Sequence, residues 1–379
     1  RGFRFAFDPD TALRLDWSHG LDAPHVVRLQ GQVAGWRDGA GWRVATPGLR
    51  LTDPGLGATL HGGLWFEGDG SRPRIDMAVA LDDMPLTTAK GFWIHHLMSP
   101  ATIKWLDAAL VAGRLQDARV LVSGDLDDWP FAVGGTDSQG SGGGRTAPAG
   151  GAPKGVFKAV ARIAGAVIKF QPEWPAIDHV DADIAFVADG LTVGGKGVLA
   201  GVGIRRMDAG IAHFGKAELM VQAQGGGDAS KLLALLKQSP LHKTYGETID
   251  NIDASGLAAV TFGLDLPMHD GGGSSKLAGT VVLAGATLAE KRWKLAFSDV
   301  RGRADYGSGG FAADNLAVVH DGQPGRLSLR AGAYTRDKRQ AFEADMDASL
   351  SAEELIRRAP ALDWLKPYLG GRSAWTVGI

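Results

Sequence analysis

From one end of this chain to the other, apolar side chains recur at every second position. The stretch 170–186, FQPEWPAIDHVDADIAF, sets the pattern: Val180, Ala182, Ile184 and Phe186 fall on one side of an extended chain, Asp181 and Asp183 on the other. Successive side chains of a strand point to opposite faces, so a period of two means a sheet with one dry face and one wet face. The alternation begins at Phe3, Phe5 and Phe7, continues through Leu13 and Leu15, Val27 and Leu29, Trp42 and Val44, Leu49 and Leu51, Leu64 and Phe66, and reaches Ile75, Met77, Val79 and Leu81. It resumes at Val120 and Val122, then at Leu191 and Val193, and runs on to Leu327 and Leu329. Turns bearing Gly, Pro or Asp separate the runs, the pattern of an antiparallel meander. The 55 glycines of 379 residues, about twice the usual ~7%, fit many tight turns, while Gly and Pro together stay below the ~25–30% that marks disorder.

Helical signals are few and short. Residues 99–113 carry a serine N-cap, proline at the first helical position and glycine beyond the end, with Ile103, Leu106 and Leu110 on one face. Residues 228–237, with Leu232, Leu233, Leu235 and Leu236, form a second helix that stops at Ser239-Pro240. A third is expected at 351–359, where Ser351 and Glu354 make a capping box. Residues 156–170 read either as a basic amphipathic helix or as strand; Gly165 and the β-branched Val160, Ile163, Val167 and Ile168 favour strand. Residues 134–155 contain no aromatic and no large aliphatic side chain, so they bury nothing and form a flexible, glycine-rich insertion. The chain thus divides into a first stretch of sheet over 1–133, the insertion, and a continuation over 156–379.

Strands on the order of twenty in number exceed what an open twisted sheet carries, since such sheets seldom pass ~10 strands without curling or splitting. The sheet therefore curls. Its dry face is then either sealed by a second sheet, as a sandwich or solenoid, or left as an open gutter that a long apolar ligand must fill.

Other classes lose ground on composition. A net charge of −2, from 40 basic and 42 acidic side chains, lacks the clustered basic footprint of a nucleic-acid binder. There is no cysteine, which excludes disulfide and thiolate chemistry. No apolar run approaches the ~20 residues of a membrane span, and no signal peptide is present. The chain starts at Arg1 without methionine and stops in mid-strand at Trp375-Thr-Val-Gly-Ile379, so it reads as a fragment whose targeting segment lies elsewhere. Catalytic signatures such as HExxH, GxSxG or a Walker loop are missing. His95-His96 in a strand would face opposite ways, Asp125, Asp127 and Asp128 lack the spacing of a calcium loop, and His269-Asp270 reads as a hairpin tip. No enzyme activity, metal or cofactor is expected. Trp129-Pro130-Phe131 and Trp174-Pro175 read as corners that pin a sheet edge.

Several short motifs follow one another in a telling order: 105–114 (WLDAALVAGR), 124–131 (GDLDDWPF), 170–177 (FQPEWPAI), Ser239-Pro240-Leu241, and 371–375 (GRSAW). In that order they resemble the AsmA-like proteins of Gram-negative envelopes, in their YhdP branch, from about Trp42 to the end. The glycine-rich insertion after Phe131 departs from that family's pattern, which resumes at Gly155. The resemblance implies a bridge-like lipid-transfer protein: a periplasmic, elongated, taco-like β-sheet whose hydrophobic groove carries phospholipid from the inner membrane toward the outer membrane or its proteins. The inner-membrane anchor would lie in a segment outside this chain. On that reading the groove is lined by Ile184, Phe186, Leu219, Val221, Val260, Phe262, Leu264, Val281, Leu283, Trp293, Leu295 and Phe297, all dry-face positions by their alternation. The alternative is a structural or adhesive β-solenoid or sandwich without ligand; a carbohydrate-active β enzyme comes third, for want of a convergent acid pair.

Overall fold

Tight hairpins set the topology. At Asp321-Gly322 both central residues take positive φ (48° and 75°), the two-residue turn whose twist matches that of the strands it joins. The computed structural model describes residues 1–15, 25–92, 100–129, 131, 155–214, 218–267, 274–292, 294–353, 356 and 360–378. Its strands are β1 (Gly2–Leu15), β2 (His25–Asp38), β3 (Gly41–Asp53), β4 (Leu56–Phe66), β5 (Arg74–Leu81), β6 (Met84–Pro85), β7 (Leu110–Asp125), β8 (Gly155–Ile168), β9 (Ile177–Val187) and β10 (Gly190–Leu199). They continue as β11 (Val202–Ile211), β12 (Glu218–Asp228), β13 (Ile252–Ser255), β14 (Leu257–Pro267), β15 (Lys276–Glu290), β16 (Leu295–Gly307), β17 (Gly310–His320), β18 (Gln323–Gly332), β19 (Phe342–Ser351) and β20 (Arg372–Gly378).

Every pairing is antiparallel and nearly every strand pairs with its neighbours in sequence, giving one continuous meander. The exceptions are short: β6 lies beside β7 beyond the end of β5, and β13 lies beside β15 beyond the end of β14. β12 pairs directly with β14, and the order then runs unbroken to β20. Among the described residues β1 pairs only with β2 and β20 only with β19, so the sheet is not closed into a barrel. The segment that read as either helix or strand is strand β8.

The bend has a local cause. Register slips in every pairing from β1 to β4, from β7 to β12 and from β15 to β18. At several slips a residue adopts the left-handed conformation: Asp117 (φ 50°), Gly165 (57°), Asp299 (49°) and Asn315 (56°). Asp, Asn and Gly enter that region at least cost, and each extra residue forms a bulge that bends and twists its strand. Bulges repeated from strand to strand curl the whole sheet.

The α-helices sit on one rim. α1 (Leu86–Ala89) and α2 (Pro100–Ala109) leave the sheet after β5, α3 (Ala229–Lys237) and α4 (Leu241–Asn251) after β12, and a 3₁₀ turn (Pro360–Leu365) follows β19. Six long strands, β7 to β12, separate the first helical insertion from the second, and six more, β14 to β19, separate the second from the third, so each insertion leaves from the same side of the meander. Among the described residues the opposite rim carries short hairpin turns, at Gly39-Ala40, Ala188-Asp189 and Ser308-Gly309, and the 3₁₀ turn Leu126–Asp128 after β7. Two cores lie against the helical rim: one gathers Leu86, Leu110, Ile163, Ala166, Ile177, Val180 and Ala182, the other Ala286, Phe297, Val300, Ala313, Leu316, Val318 and Leu327.

Of the helix expectations, the first needs adjustment. α2 stops at Ala109, and Leu110–Gly113, expected to be helical, opens β7. Gly113 there has φ +125° and passes so close to Ala166 that a Cβ would meet its Cα at 2.6 Å; pairing with β8 outcompetes another turn of helix. α3 has the expected extent, with Asp228 accepting from Ser230 N at 2.9 Å as its N-cap. Ser239-Pro240 ends α3 but also starts the unexpected α4: Ser239 Oγ donates to Leu236 O (2.8 Å) and accepts from Leu241 N (3.3 Å). Ser351 is the last residue of β19, while 354, 355 and 357–359 of the third expected helix lie outside the described residues, as does most of the 134–155 insertion.

Candidate functional site

Directly paired residues of an antiparallel ladder project from the same side of the sheet. Register therefore decides which side chains share a face. One row runs Phe7, Gly31, Leu49, Leu60, Val79, Val120, Ala159, Phe186, Leu191, Ile211, Leu219, Leu266, crossing twelve strands through successive pairs without a polar side chain. A second row runs Val260, Val281, Ala304, Ala313, Leu329, Ala344 and carries the same face to β19. The reverse face reads differently: Thr261, Thr280, Asp305, Ala312, Arg330 and Glu343 form one of its rows.

That reverse face is held by local polar pairs. Arg206–Asp208, Arg301–Asp299 and Arg303–Asp305 pair along single strands, and Arg330 makes a fork onto Asp314 at 2.7 and 2.8 Å. Asp181 Oδ1 accepts from Gly165 N at 3.0 Å, capping the bulge of β8, and this backbone N–H holds its carboxyl below the usual range. Trp65 lies between the guanidinium groups of Arg43 and Arg74, each 5.5 Å from its ring.

The apolar face is the concave one, because side chains of non-adjacent strands touch across it. Phe3 on β1 stacks with Trp42 on β3 at 6.4 Å. Trp174, in the turn between β8 and β9, meets Phe262 on β14 edge-on at 6.3 Å, with three strands between. The rare polar side chain here is satisfied: Tyr306 closes over Gly279, donates to Thr261 O at 2.8 Å, and burial pushes its phenol up to about 12. Coverage is uneven. The two cores seal the part against the helical rim, whereas Phe3, Phe5, Trp42 and Phe66, near the hairpin rim of the first strands, remain exposed.

Of the residues expected to line a groove, Ile184, Phe186, Leu219, Val221, Val260, Phe262, Leu264, Val281 and Leu283 fall on this one face by register. Leu295 and Phe297 join it through the second core: Phe297 is one of its buried members, and Leu295, like Leu283 and Ala304, packs against it. Trp293 lies outside the described residues. Leu219, Leu264 and Phe297 are buried; the others are half-buried. Sequence reasoning began the lining at Ile184 and left out the first strands. Phe3, Phe5 and Phe7 were visible as an alternation, and the pairing of β1 with β2 places them on the same face.

The weak chemical candidates resolve as follows. Asp125 accepts from Asp127 N at 3.0 Å as the cap of a short turn, and Asp127 faces Arg72. His95-His96 and His269-Asp270 lie outside the described residues. Among the described residues no group of three or more metal-ligating side chains converges, and no helix is long and apolar enough to cross a membrane. Trp129 and Phe131 do form a corner: they pack edge-on at 5.5 Å, with Phe157 4.9 Å from Trp129.

Comparison with known proteins points one way. No solved structure matches the chain. It is 25% identical over 253 residues to the intermembrane phospholipid transporter YhdP of Escherichia coli (strain K12), an alignment covering 66% of this chain and 18% of that protein. The chain thus spans less than a fifth of the length of that curated relative. A family profile described as YhdP protein matches residues 1–379, so the chain belongs to the YhdP family.

Proposed function

We propose that the concave face is a path for phospholipid acyl chains, and that this chain is one section of a periplasmic bridge between the inner and outer membranes. The observation that carries the reading is the apolar row crossing twelve strands, half-open along the hairpin rim. A face of that extent stays in water only if something apolar occupies it. Each methylene moved from water onto it gains about 0.8 kcal/mol, so an acyl chain is retained while its head group stays in water at the open rim. Movement along the row trades like contacts for like, and no catalytic side chain or cofactor takes part. Anchoring falls to a segment outside this chain, and acceptance to the outer membrane or its proteins. The transporter activity named for the Escherichia coli relative supports the cargo.

Native mass spectrometry of the chain purified without detergent tests this. Phospholipid masses on the folded chain are expected, together with adducts when a photo-reactive residue replaces Leu60 or Val221. A lipid-free chain without adducts from phospholipid vesicles would favour a ligand-free structural solenoid.

A further inference from the structure

The turn between β8 and β9 does more than reverse the chain. Its base is fixed: Phe170 packs on the first core, its carbonyl accepts from Trp105 Nε1 at 2.9 Å, and Lys169 N donates to Ala109 O at 2.7 Å. Its tip is held by local bonds and a few side-chain contacts: Lys169 Nζ donates to Trp174 O, and Trp174 N donates to Gln171 O at 3.3 Å. Glu173 pairs with Lys243 of α4 through exposed side chains, and the half-buried Trp174 touches Phe170 (5.9 Å) and Phe262 (6.3 Å). Phe262 lies on the concave face of β14, so the tip spans that face above β10, β11 and β12. Pro172 and Pro175 fix φ on either side of the tip and leave it stiff. It can lift only as a unit.

We propose that residues 171–176 form a strap across the groove, that Trp174 against Phe262 is its closed position, and that an acyl chain passing over β10 to β12 displaces this pair. The proposal rests on the lipid path inferred above. Lifting breaks one half-buried aromatic pair and one exposed ion pair while the long Lys169 side chain follows the Trp174 carbonyl, so closure is favoured by about tenfold. That is weak enough for a bound acyl chain to reverse and strong enough to keep the segment shut when empty.

The chain has no cysteine, so Trp174→Cys with Phe262→Cys can be bridged specifically by a reducible bis-methanethiosulfonate. Diazirine residues at Met207, on the concave face of β11 beneath the strap, and at Leu60, on β4 away from it, report lipid from vesicles of phosphatidylethanolamine and phosphatidylglycerol. Bridging the full chain should lower the Met207 adduct about tenfold, leave the Leu60 adduct unchanged, and be undone by reductant. Trp174→Ala should speed formation of the Met207 adduct by about the same factor, and Trp174→Phe by less. Equal Met207 adducts in bridged and reduced chains, with Leu60 labelled, would overturn the strap alone. No adduct at either position in the parent chain would overturn the lipid path and the strap with it.

Discussion

A charge placed at two points of the same apolar face should meet two fates. Val300 and Val221 both project from the concave side, but Val300 is 0% exposed within the second core, while Val221 is half-buried on β12. In Val300→Asp the carboxyl finds only Phe297, Leu316, Leu327 and their neighbours, so it must be protonated to remain. Taking up a proton at pH 7 against an ordinary pKa near ~3.9 costs about 4 kcal/mol at 1.36 kcal/mol per unit. The lost valine adds about 1.5–3 kcal/mol. Against a total stability of ~5–15 kcal/mol, the variant loses about a third or more of its stability at the upper end of that range and all of it at the lower end. The sign of the pH effect follows: the folded-state pKa is raised, so the penalty is absent below the unfolded pKa, grows as pH rises, and levels off above the folded pKa. Val300→Asp should therefore recover as pH falls toward ~4. Val221→Asp can hydrate its carboxylate through the open rim, so its urea midpoint should move by no more than about 1 kcal/mol, while phospholipid occupancy falls. Asp183→Lys, on the reverse face, should change neither. Circular dichroism in urea at several pH values, with native mass spectrometry, reads all three. If Val221→Asp unfolds as fully as Val300→Asp, the concave face is sealed throughout and the acyl path is wrong.

Alternation made the sheet legible because a half-exposed antiparallel strand writes its two faces into the sequence at period two. The faces of Ile184, Val221 and Phe262 could be assigned strand by strand. Whether those faces coincide depends on register, and register turns on bulges such as those at Asp117, Asp299 and Asn315, where an acidic or amide residue within a strand reads in sequence as an ordinary wet-face position. The curl was inferred from strand number; its cause could not be. α4 escaped notice because Thr244, Gly246 and Thr248 are poor helix formers, and the segment is held by context: the Ser239 cap, Lys243 on Glu173, and His242 on Asp250 at 3.0 Å. Trp174 was legible as a corner. Its contact with Phe262, across three strands, depends on the accumulated bend, which no local pattern encodes.

Two further predictions test the energetics directly. Leu316, 2% exposed and packed with Val300, Val318 and Leu327, should cost about 2–5 kcal/mol as Leu316→Ala; a shift in urea midpoint below ~1 kcal/mol would mean that the second core relaxes freely. The last concerns acid. Glu343 is a buried carboxylate on the reverse face that accepts from Arg336 N (3.0 Å) and Asp337 N (2.7 Å), closing the 332–342 connection. The Arg336 N–H, then that of Asp337, hold its carboxyl below the usual range. A depressed folded-state pKa means the contribution is fully present above the unfolded value, near ~4.3, and is lost as pH falls through the folded one. Glu343→Gln keeps the shape but replaces a charged acceptor by a neutral one and adds a buried N–H₂ group facing two N–H donors. It should melt at a lower temperature than the parent at pH 7, and the two curves should converge as the parent's carboxylate protonates. Parallel curves down to pH ~3 would show that the backbone pair at Arg336 and Asp337 does not depend on the charge.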